Sequence, residues 1–136
     1  MPFTWQLRMC FQDVDAEGIV YHSRYLEFSE RARTEWLVGM GIQNQEIMDL
    51  GVALVVHRVE MDFLAPARLD DLLTIDVQIT ELKNASTVIE QTITVDGQPK
   101  AHLKLEIVYV NTQTLRPTRI PAILKQAFEN YIKENK

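Results

Sequence analysis

A short stretch near the beginning of the chain concentrates side chains that can do chemistry. It reads DVDAEGIVYHSRY over residues 13–25 and carries Asp15, Gly18 and His22 in a predicted loop. A carboxylate can act as nucleophile or general base, an imidazole titrates near neutrality, and a glycine lets the backbone approach a ligand closely. The same composition is also typical of a solvated turn whose carboxylates face a helix dipole, so the spacing alone leaves both interpretations open.

The start of a predicted helix follows this loop. Amide groups at a helix amino terminus have no partner within the helix, so the amides near His22, Ser23 and Arg24 can hold a developing oxyanion. Ser23 is a suitable N-cap residue. The predicted site therefore comprises the catalytic residues Asp15 and His22 and, in the loop and its oxyanion-binding backbone, Gly18, Tyr21 and Ser23.

The elements that must position this site follow from the hydrophobic pattern. Residues 23–40 carry apolar side chains at spacings of three and four, which predicts an amphipathic helix. A short helix near residues 44–50 and a last helix beginning at Pro121 are also expected. Asp96 and Gly97 are typical of a two-residue hairpin turn, whereas Pro99 favours a longer connection. Alternating apolar residues predict strands over about residues 4–12, 52–65, 73–80, 87–95 and 100–110.

The order strand, helix, four strands and helix predicts an α+β fold. A long antiparallel sheet must cover its apolar face, so we expect a five-stranded antiparallel sheet wrapped around the helix at residues 23–40, plus a C-terminal helix. Because one helix seldom covers five long strands, we also expect copies of the chain to associate as a dimer or tetramer. One domain spanning residues 1–136 accounts for this length.

Four other polar residues are weaker candidates for function. Arg33 projects onto the apolar side of the helix, where a buried ion pair with a core carboxylate is expected ahead of substrate contact. His57 falls on the apolar face of a strand and is interpreted as a core histidine. His102 falls on the outer, solvated face, and Cys10 is interpreted as a small core residue within a strand.

Composition excludes several classes of protein. The 136 residues carry a net charge of −5, which argues against a general nucleic-acid binder, since such a protein needs a basic face. A single cysteine excludes an intrachain disulfide, and the sequence has no ligand spacing typical of structural zinc. It has neither the pattern of a secretory signal nor an apolar run of about 18 residues, so we expect a cytoplasmic protein without a transmembrane segment.

Residues 13–37, DVDAEGIVYHSRYLEFSERARTEWL, resemble the first part of the 4-hydroxybenzoyl-CoA thioesterase group of hotdog-fold proteins. Within that group they are similar to the YbgC-like acyl-CoA thioesterases, which are associated with the bacterial Tol-Pal system. The segment FLAPARLDD at residues 63–71 and the strand order extend the resemblance over nearly the whole chain. The resemblance implies a single hotdog thioesterase domain that hydrolyses acyl-CoA thioesters.

The resemblance also implies roles for individual residues. The second aspartate of the family's Asp-x-Asp pair corresponds to Asp15, and the histidine seven residues on corresponds to His22. In the benzoyl-CoA branch the backbone amide at the position of His22 polarises the thioester carbonyl. Glu17 departs from the small residue that relatives often carry there. The family has neither a metal nor a redox cofactor, and its site forms between subunits, here of a dimer or homotetramer.

Coenzyme A carries phosphates, so a substrate of this kind needs cationic contacts. Arg58 and Arg68 are the first candidates, ahead of Lys83, Arg116 and Arg119, and each is a surface charge by default. The expected partners are an acyl-CoA substrate, further copies of the chain and an acyl carrier protein as a second source of thioester.

Three functions stay open at the level of the sequence. The main hypothesis is hydrolysis of short- to medium-chain or aromatic acyl-CoA thioesters through the Asp15 carboxylate, acting as nucleophile or general base. The alternative is a non-hydrolytic protein of envelope or lipid metabolism that binds acyl groups or an acyl carrier protein. The third is a hotdog dehydratase, which hydration of an enoyl thioester would support.

Overall fold

A curved antiparallel sheet and one long helix lie at the centre of the structure, a computed structural model that describes residues 2–136. The chain order of the elements confirms the predicted α+β class. The helices are α1 (Arg24–Gly39), α2 (Asn44–Asp49) and α3 (Ala122–Glu134), and a short 3-10 helix covers Phe11–Asp13. The strands are β1 (Thr4–Arg8), β2 (Val52–Phe63), β3 (Leu72–Asp76), β4 (Gln78–Leu82), β5 (Ser86–Val95) and β6 (Gln98–Asn111).

The sheet runs in the order β1, β3, β5, β6, β2, with β4 also paired to β5. Every pairing between these strands is antiparallel. β3 and β4 are two halves of the strand predicted over residues 73–80, so the path still has the expected five strands. The halves separate at Val77, which pairs with no strand residue within 2–136 and whose carbonyl accepts a hydrogen bond of 2.6 Å from the Tyr131 hydroxyl.

The apolar face of the sheet packs against α1, as the hydrophobic pattern predicts. One cluster of buried residues surrounds the first half of α1, where Tyr25, Phe28 and Ala32 meet the sheet. A second cluster surrounds Trp36 in the last half of the helix and includes α3, whose Phe128 stacks on the indole with ring centroids 5.0 Å apart. The predicted inward face of β6 is buried throughout and consists of Ala101, Leu103, Leu105, Ile107 and Tyr109.

The hairpin between β5 and β6 has a two-residue loop. Asp96 and Gly97 both have positive φ, 50° and 80°, which a type I′ turn requires of its two central residues. Val95 pairs directly with Gln98, so Pro99 does not lengthen the connection.

The interpretations of His57 and Cys10 as core residues are wrong. The register of β2 against β6 shifts between Val56 and Arg58, and this bulge turns the His57 side chain outward, where it is 63% exposed and 3.7 Å from Glu106. The pattern predicts a strand that extends to about residue 12, but β1 ends at Arg8. Cys10 therefore lies beyond the strand and is exposed.

Candidate active site

The loop that carries Asp15 is a tight turn closed by its own backbone. The Asp15 amide donates to the Ile19 carbonyl at 2.9 Å, and the Gly18 amide donates to the Asp15 carbonyl at 3.0 Å. Gly18 has φ of 79°, a left-handed conformation that favours glycine. The turn therefore fixes the backbone position of Asp15 before α1 begins.

Two amides of this turn also hold the Asp15 side chain. Its Oδ1 accepts hydrogen bonds from the Glu17 amide at 2.8 Å and the Ile19 amide at 3.1 Å. Its Oδ2 has no hydrogen-bond partner among residues 2–136, and Asp15 is partly exposed. The carboxylate is thus oriented through one oxygen and leaves the other available to a ligand.

Residues 67–69 lie beside the same loop and hold it through backbone hydrogen bonds. The Val20 amide donates to the Ala67 carbonyl and the Leu69 amide donates to the Gly18 carbonyl, both at 2.9 Å. Ile19 and Arg68 form an antiparallel bridge between these hydrogen bonds. The exposed Arg68 therefore lies directly beside the loop.

Asp13 anchors the beginning of the loop to the first turn of α1. It is 3% exposed and accepts hydrogen bonds from the Cys10 amide at 2.9 Å and from Arg24 at 2.6 Å. Burial opposes its ionisation, but the hydrogen bonds from Cys10 and Arg24 outweigh that effect and hold the pKa of Asp13 below its usual value. The same contact raises the pKa of Arg24, which also pairs with Glu27.

Two backbone amides just before α1 have no hydrogen-bond acceptor within residues 2–136. Arg24 is the first helical residue, and its amide donates to the Tyr21 carbonyl at 3.1 Å. Ser23 occupies the N-cap position but its side chain makes no capping hydrogen bond, because its backbone is already helical with φ −64° and ψ −24°. Within the described part of the chain, the amides of His22 and Ser23 donate no hydrogen bond.

His22 lies at the mouth of a small cavity next to the loop. Its exposed ring lies against Phe63, the last residue of β2, with centroids 4.2 Å apart. The cavity has a volume of about 260 Å³, and Ile19 and Tyr25 also line it. Sequence reasoning missed Phe63, although this residue begins the FLAPARLDD segment that carries part of the family resemblance.

A larger cavity of about 610 Å³ lies towards the other end of α1, bounded by α1, α2 and the first half of β2. Neither Asp15 nor His22 lines it, whereas Arg33 does. The prediction that Arg33 forms an ion pair with a core carboxylate is wrong, since no carboxylate within residues 2–136 pairs with it. The guanidinium donates instead to two neutral groups, the Gln91 side-chain oxygen at 2.9 Å and the Ser29 hydroxyl at 3.2 Å.

Arg58, the other first candidate for a phosphate contact, and His102 lie away from the loop. Arg58 is an exposed residue of β2 and forms an ion pair with Glu60 at 3.2 Å. It precedes Phe63 by five strand residues, about 17 Å at the usual rise. His102 is on the outer face as predicted, where it contacts Glu90 at 3.0 Å and Thr92 at 3.1 Å.

Residues 2–136 contain no group of three or more His, Cys, Asp and Glu side chains arranged to hold a metal ion. None of the helices described above is long and apolar enough to cross a membrane.

A long helix wrapped by a curved antiparallel sheet, with a clamped carboxylate loop at the start of the helix, defines a hotdog-fold protein of the thioesterase class. Residues 10–128 match the sequence model of the thioesterase-like superfamily. The chain therefore belongs to this superfamily and, within it, to the family of YbgC acyl-CoA thioesterases.

Full-length relatives support that assignment. The acyl-CoA thioesterase YbgC of Haemophilus influenzae is 33% identical, and the match covers 94% of this chain and 95% of the relative. The acyl-CoA thioester hydrolase YbgC of Escherichia coli O6:H1 is 35% identical over 93% of this chain and 96% of its own. The crystal structure of a probable thioesterase from Bartonella henselae has a TM-score of 0.83 and 36% identity, covering 89% of this chain and 100% of that one.

Proposed function

We propose that this protein hydrolyses short- to medium-chain or aromatic acyl-CoA thioesters with Asp15 as the catalytic carboxylate. Thioester hydrolysis as such follows from the family, since its YbgC relatives are acyl-CoA thioester hydrolases. The observation that carries the role of Asp15 is its geometry: two loop amides donate to one oxygen, and the other has no partner within residues 2–136. None of the relatives named above is a non-hydrolytic binder, so that alternative has no support.

The proposed reaction uses the free amides of His22 and Ser23 as the oxyanion site. The thioester carbonyl oxygen accepts hydrogen bonds from them, and negative charge that develops on it is stabilised at the helix start. Asp15 then either attacks the carbonyl carbon, which expels the CoA thiolate and leaves an anhydride for water to cleave, or takes a proton from the attacking water. Both routes give a carboxylic acid and CoA.

His22 and Arg68 are assigned supporting roles in this proposal. The His22 ring, held against Phe63, lines the cavity beside the loop and positions the thioester there. Arg68 is the better of the two predicted phosphate contacts because it lies beside the loop, whereas Arg58 is distant and paired with Glu60. The proposed chemistry needs no metal or redox cofactor, and CoA enters as part of the substrate.

A second copy of the chain completes the proposed site. β2 is an edge strand, and Val55, Val56, Val59 and Phe63 are exposed along it, each between 39% and 46%. An apolar edge of this length is unusual for an isolated domain and favours pairing with another strand. Since Phe63 contacts His22, such a pairing brings the partner next to the site. A cytoplasmic location, a link to Tol-Pal and an acyl-carrier-protein partner stay predictions.

The role of Asp15 is tested by Asp15→Asn. We expect the variant to melt near the wild-type temperature and to release CoA from a panel of acyl-CoAs at least about 100-fold more slowly, since its amide is neither a nucleophile nor a base. Glu17→Gln, in the same loop but exposed, is the matched control and should stay active. Full activity of a folded Asp15→Asn protein would refute the assignment.

Isotope labelling tests for the nucleophilic route. A single turnover in heavy-oxygen water is followed by mass spectrometry of the peptide containing Asp15. Label in the Asp15 carboxylate establishes the nucleophilic route, because water has cleaved the anhydride at the aspartyl carbon; label only in the released acid fits general-base catalysis or cleavage of the anhydride at the acyl carbon.

A further inference from the structure

A polar layer crosses the middle of the apolar core between α1 and β5. Ser29 and Gln91 are both fully buried, and the Gln91 side-chain amide donates to the Ser29 carbonyl at 3.1 Å. Arg33 joins them by donating from Nη1 to the Gln91 Oε1 and to the Ser29 hydroxyl. We call these three residues the polar layer. Within the polar layer, the Gln91 side-chain amide accepts through its oxygen and donates through its nitrogen.

The Arg33 guanidinium has no counterion within residues 2–136. Its Nη1 makes both hydrogen bonds, while Nε and Nη2 have no partner in this part of the chain. Burial lowers the pKa of Arg33, an effect that the Glu30 carboxylate offsets in part, yet an arginine stays protonated at neutral pH. Nε and Nη2 form the planar fork that binds a carboxylate through two parallel hydrogen bonds. Arg33 is partly exposed, so a carboxylate that binds this fork in the cavity gains charge-assisted hydrogen bonds in place of water.

The cavity of about 610 Å³ next to Arg33 has room for such an anion, and two residues that line it, Trp36 and Tyr109, carry polar groups that are themselves buried. The Trp36 indole N–H is buried without a partner among the described residues. Tyr109 shares one hydrogen bond of 2.6 Å with the Thr87 hydroxyl, so one of the two hydroxyls keeps a proton to donate. Burial raises the pKa of Tyr109 to about 12, which keeps that proton in place. Glu30 also lines the cavity but is exposed at its rim.

The polar layer lies about one acyl chain away from the thioester site. Gln91 pairs with Leu103 and Leu103 pairs with Met61, which precedes Phe63 by two residues. At the usual strand dimensions, Gln91 and Phe63 are about 7 Å apart along the strands and about 10 Å apart across them. An extended acyl chain of about six to eight carbons spans roughly 6 to 9 Å, because each C–C bond of about 1.5 Å advances the chain by about 1.25 Å, and a hydrogen bond of about 2.9 Å at its far end completes the distance.

We propose that the preferred substrates carry a carboxylate at the far end of the acyl chain, bound by the free fork of Arg33 in the cavity beside the polar layer. This inference rests on the proposed thioesterase function and names its substrate class, the CoA monothioesters of dicarboxylic acids. The apolar walls of the cavity hold the methylene groups, and Arg33 acts as a specificity-determining residue. The anion neutralises a guanidinium whose counterion the described chain does not supply.

The test compares pairs of substrates that differ only at the far end of the chain. We expect wild-type protein to hydrolyse adipoyl-CoA with a kcat/KM at least about tenfold above that for hexanoyl-CoA, because the carboxylate gains charge-assisted hydrogen bonds. Arg33→Met should reverse this ratio, since the carboxylate then enters an apolar cavity unpaired. Arg33→Lys keeps the charge without the fork and should give an intermediate ratio.

Arg31→Met is the matched control on the same helix. The Arg31 side chain is exposed and packs over the Trp5 ring at 5.2 Å, away from the cavity, so the substrate ratio should stay at the wild-type value. Thermal unfolding checks that Arg33→Met folds, since the change leaves the buried Gln91 Oε1 without its donor.

Three results would separate the competing explanations. If no acyl-CoA is hydrolysed, the proposed function itself fails. If acyl-CoAs are hydrolysed but adipoyl-CoA has no advantage, or Arg33→Met leaves the ratio unchanged, only the present inference is overturned. If Arg33→Met lowers the melting temperature and dissociates an oligomer in sedimentation, the anion is a carboxylate of a second copy, and the inference is again overturned.

Discussion

At the scale of single residues, Asp13 is a buried carboxylate that stays ionised through its hydrogen bonds. It is buried, yet it is charged because the Cys10 amide and the Arg24 guanidinium both donate to it. Asp13→Asn removes that charge and should lower the free energy of unfolding by about 2 kcal/mol at neutral pH. Since α1 begins at Arg24, the same change should also loosen the link between the loop and the helix.

The pH dependence of this effect has a definite sign. A carboxyl whose pKa is lowered by folding stabilises the protein above its ordinary pKa of 3.8, and the stabilisation is lost as pH falls through the folded-state value. The gap between wild type and Asp13→Asn in urea unfolding should therefore be largest above about pH 5 and shrink below 3.8. Asp96→Asn, at an exposed hairpin position, is the control. A gap that does not change with pH would contradict this account.

At the scale of elements, α3 supplies a hydrogen bond to the backbone at the interruption between β3 and β4. The Tyr131 hydroxyl donates to the unpaired Val77 carbonyl at 2.6 Å and accepts from the Phe3 amide at 2.9 Å. Tyr131→Phe leaves both backbone groups without this partner and should cost about 1 to 3 kcal/mol of stability, measured by thermal or urea unfolding. Tyr21→Phe, which removes an exposed hydroxyl, should leave stability unchanged. Equal stability of the two variants would show that water replaces the Tyr131 hydroxyl.

The elements themselves could be predicted because periodicity is local. The alternation in β6 and the spacing of three and four in α1 are properties of neighbouring residues, and the structure confirms both. The bulge at His57 adds one residue to β2 without any local signal, so the predicted face was wrong there. The carboxylate loop is a contiguous segment and was found from the sequence. The partner of Arg33 is Gln91, 58 residues away, and only the fold brings them together.

At the scale of the whole molecule, the exposed apolar edge of β2 supports the proposal that copies of the chain associate. Val59→Lys, which lies outside the lining of the larger cavity, places a charge on that edge and should shift an oligomer towards monomers in sedimentation, since a buried lysine opposes strand pairing. Thioesterase activity should fall with it if the site needs a second copy. Ile123→Lys, a similarly exposed position on α3, is the control. A Val59→Lys protein that keeps the wild-type oligomeric mass and activity would show that this edge is not the interface.

The polar layer has a second consequence, which concerns the alignment of α1 on the sheet. A helix on a purely apolar surface can slide by one turn, about 5.4 Å, and still bury similar side chains. Here such a slide would separate Gln91 from both Ser29 and Arg33 and leave buried polar groups unpaired. Arg33, which is proposed to determine the acyl-group specificity, thus also helps to fix the position of the helix along the sheet. Natural or engineered changes of substrate preference at this layer must therefore preserve that alignment, which restricts them to side chains that still hydrogen-bond across it.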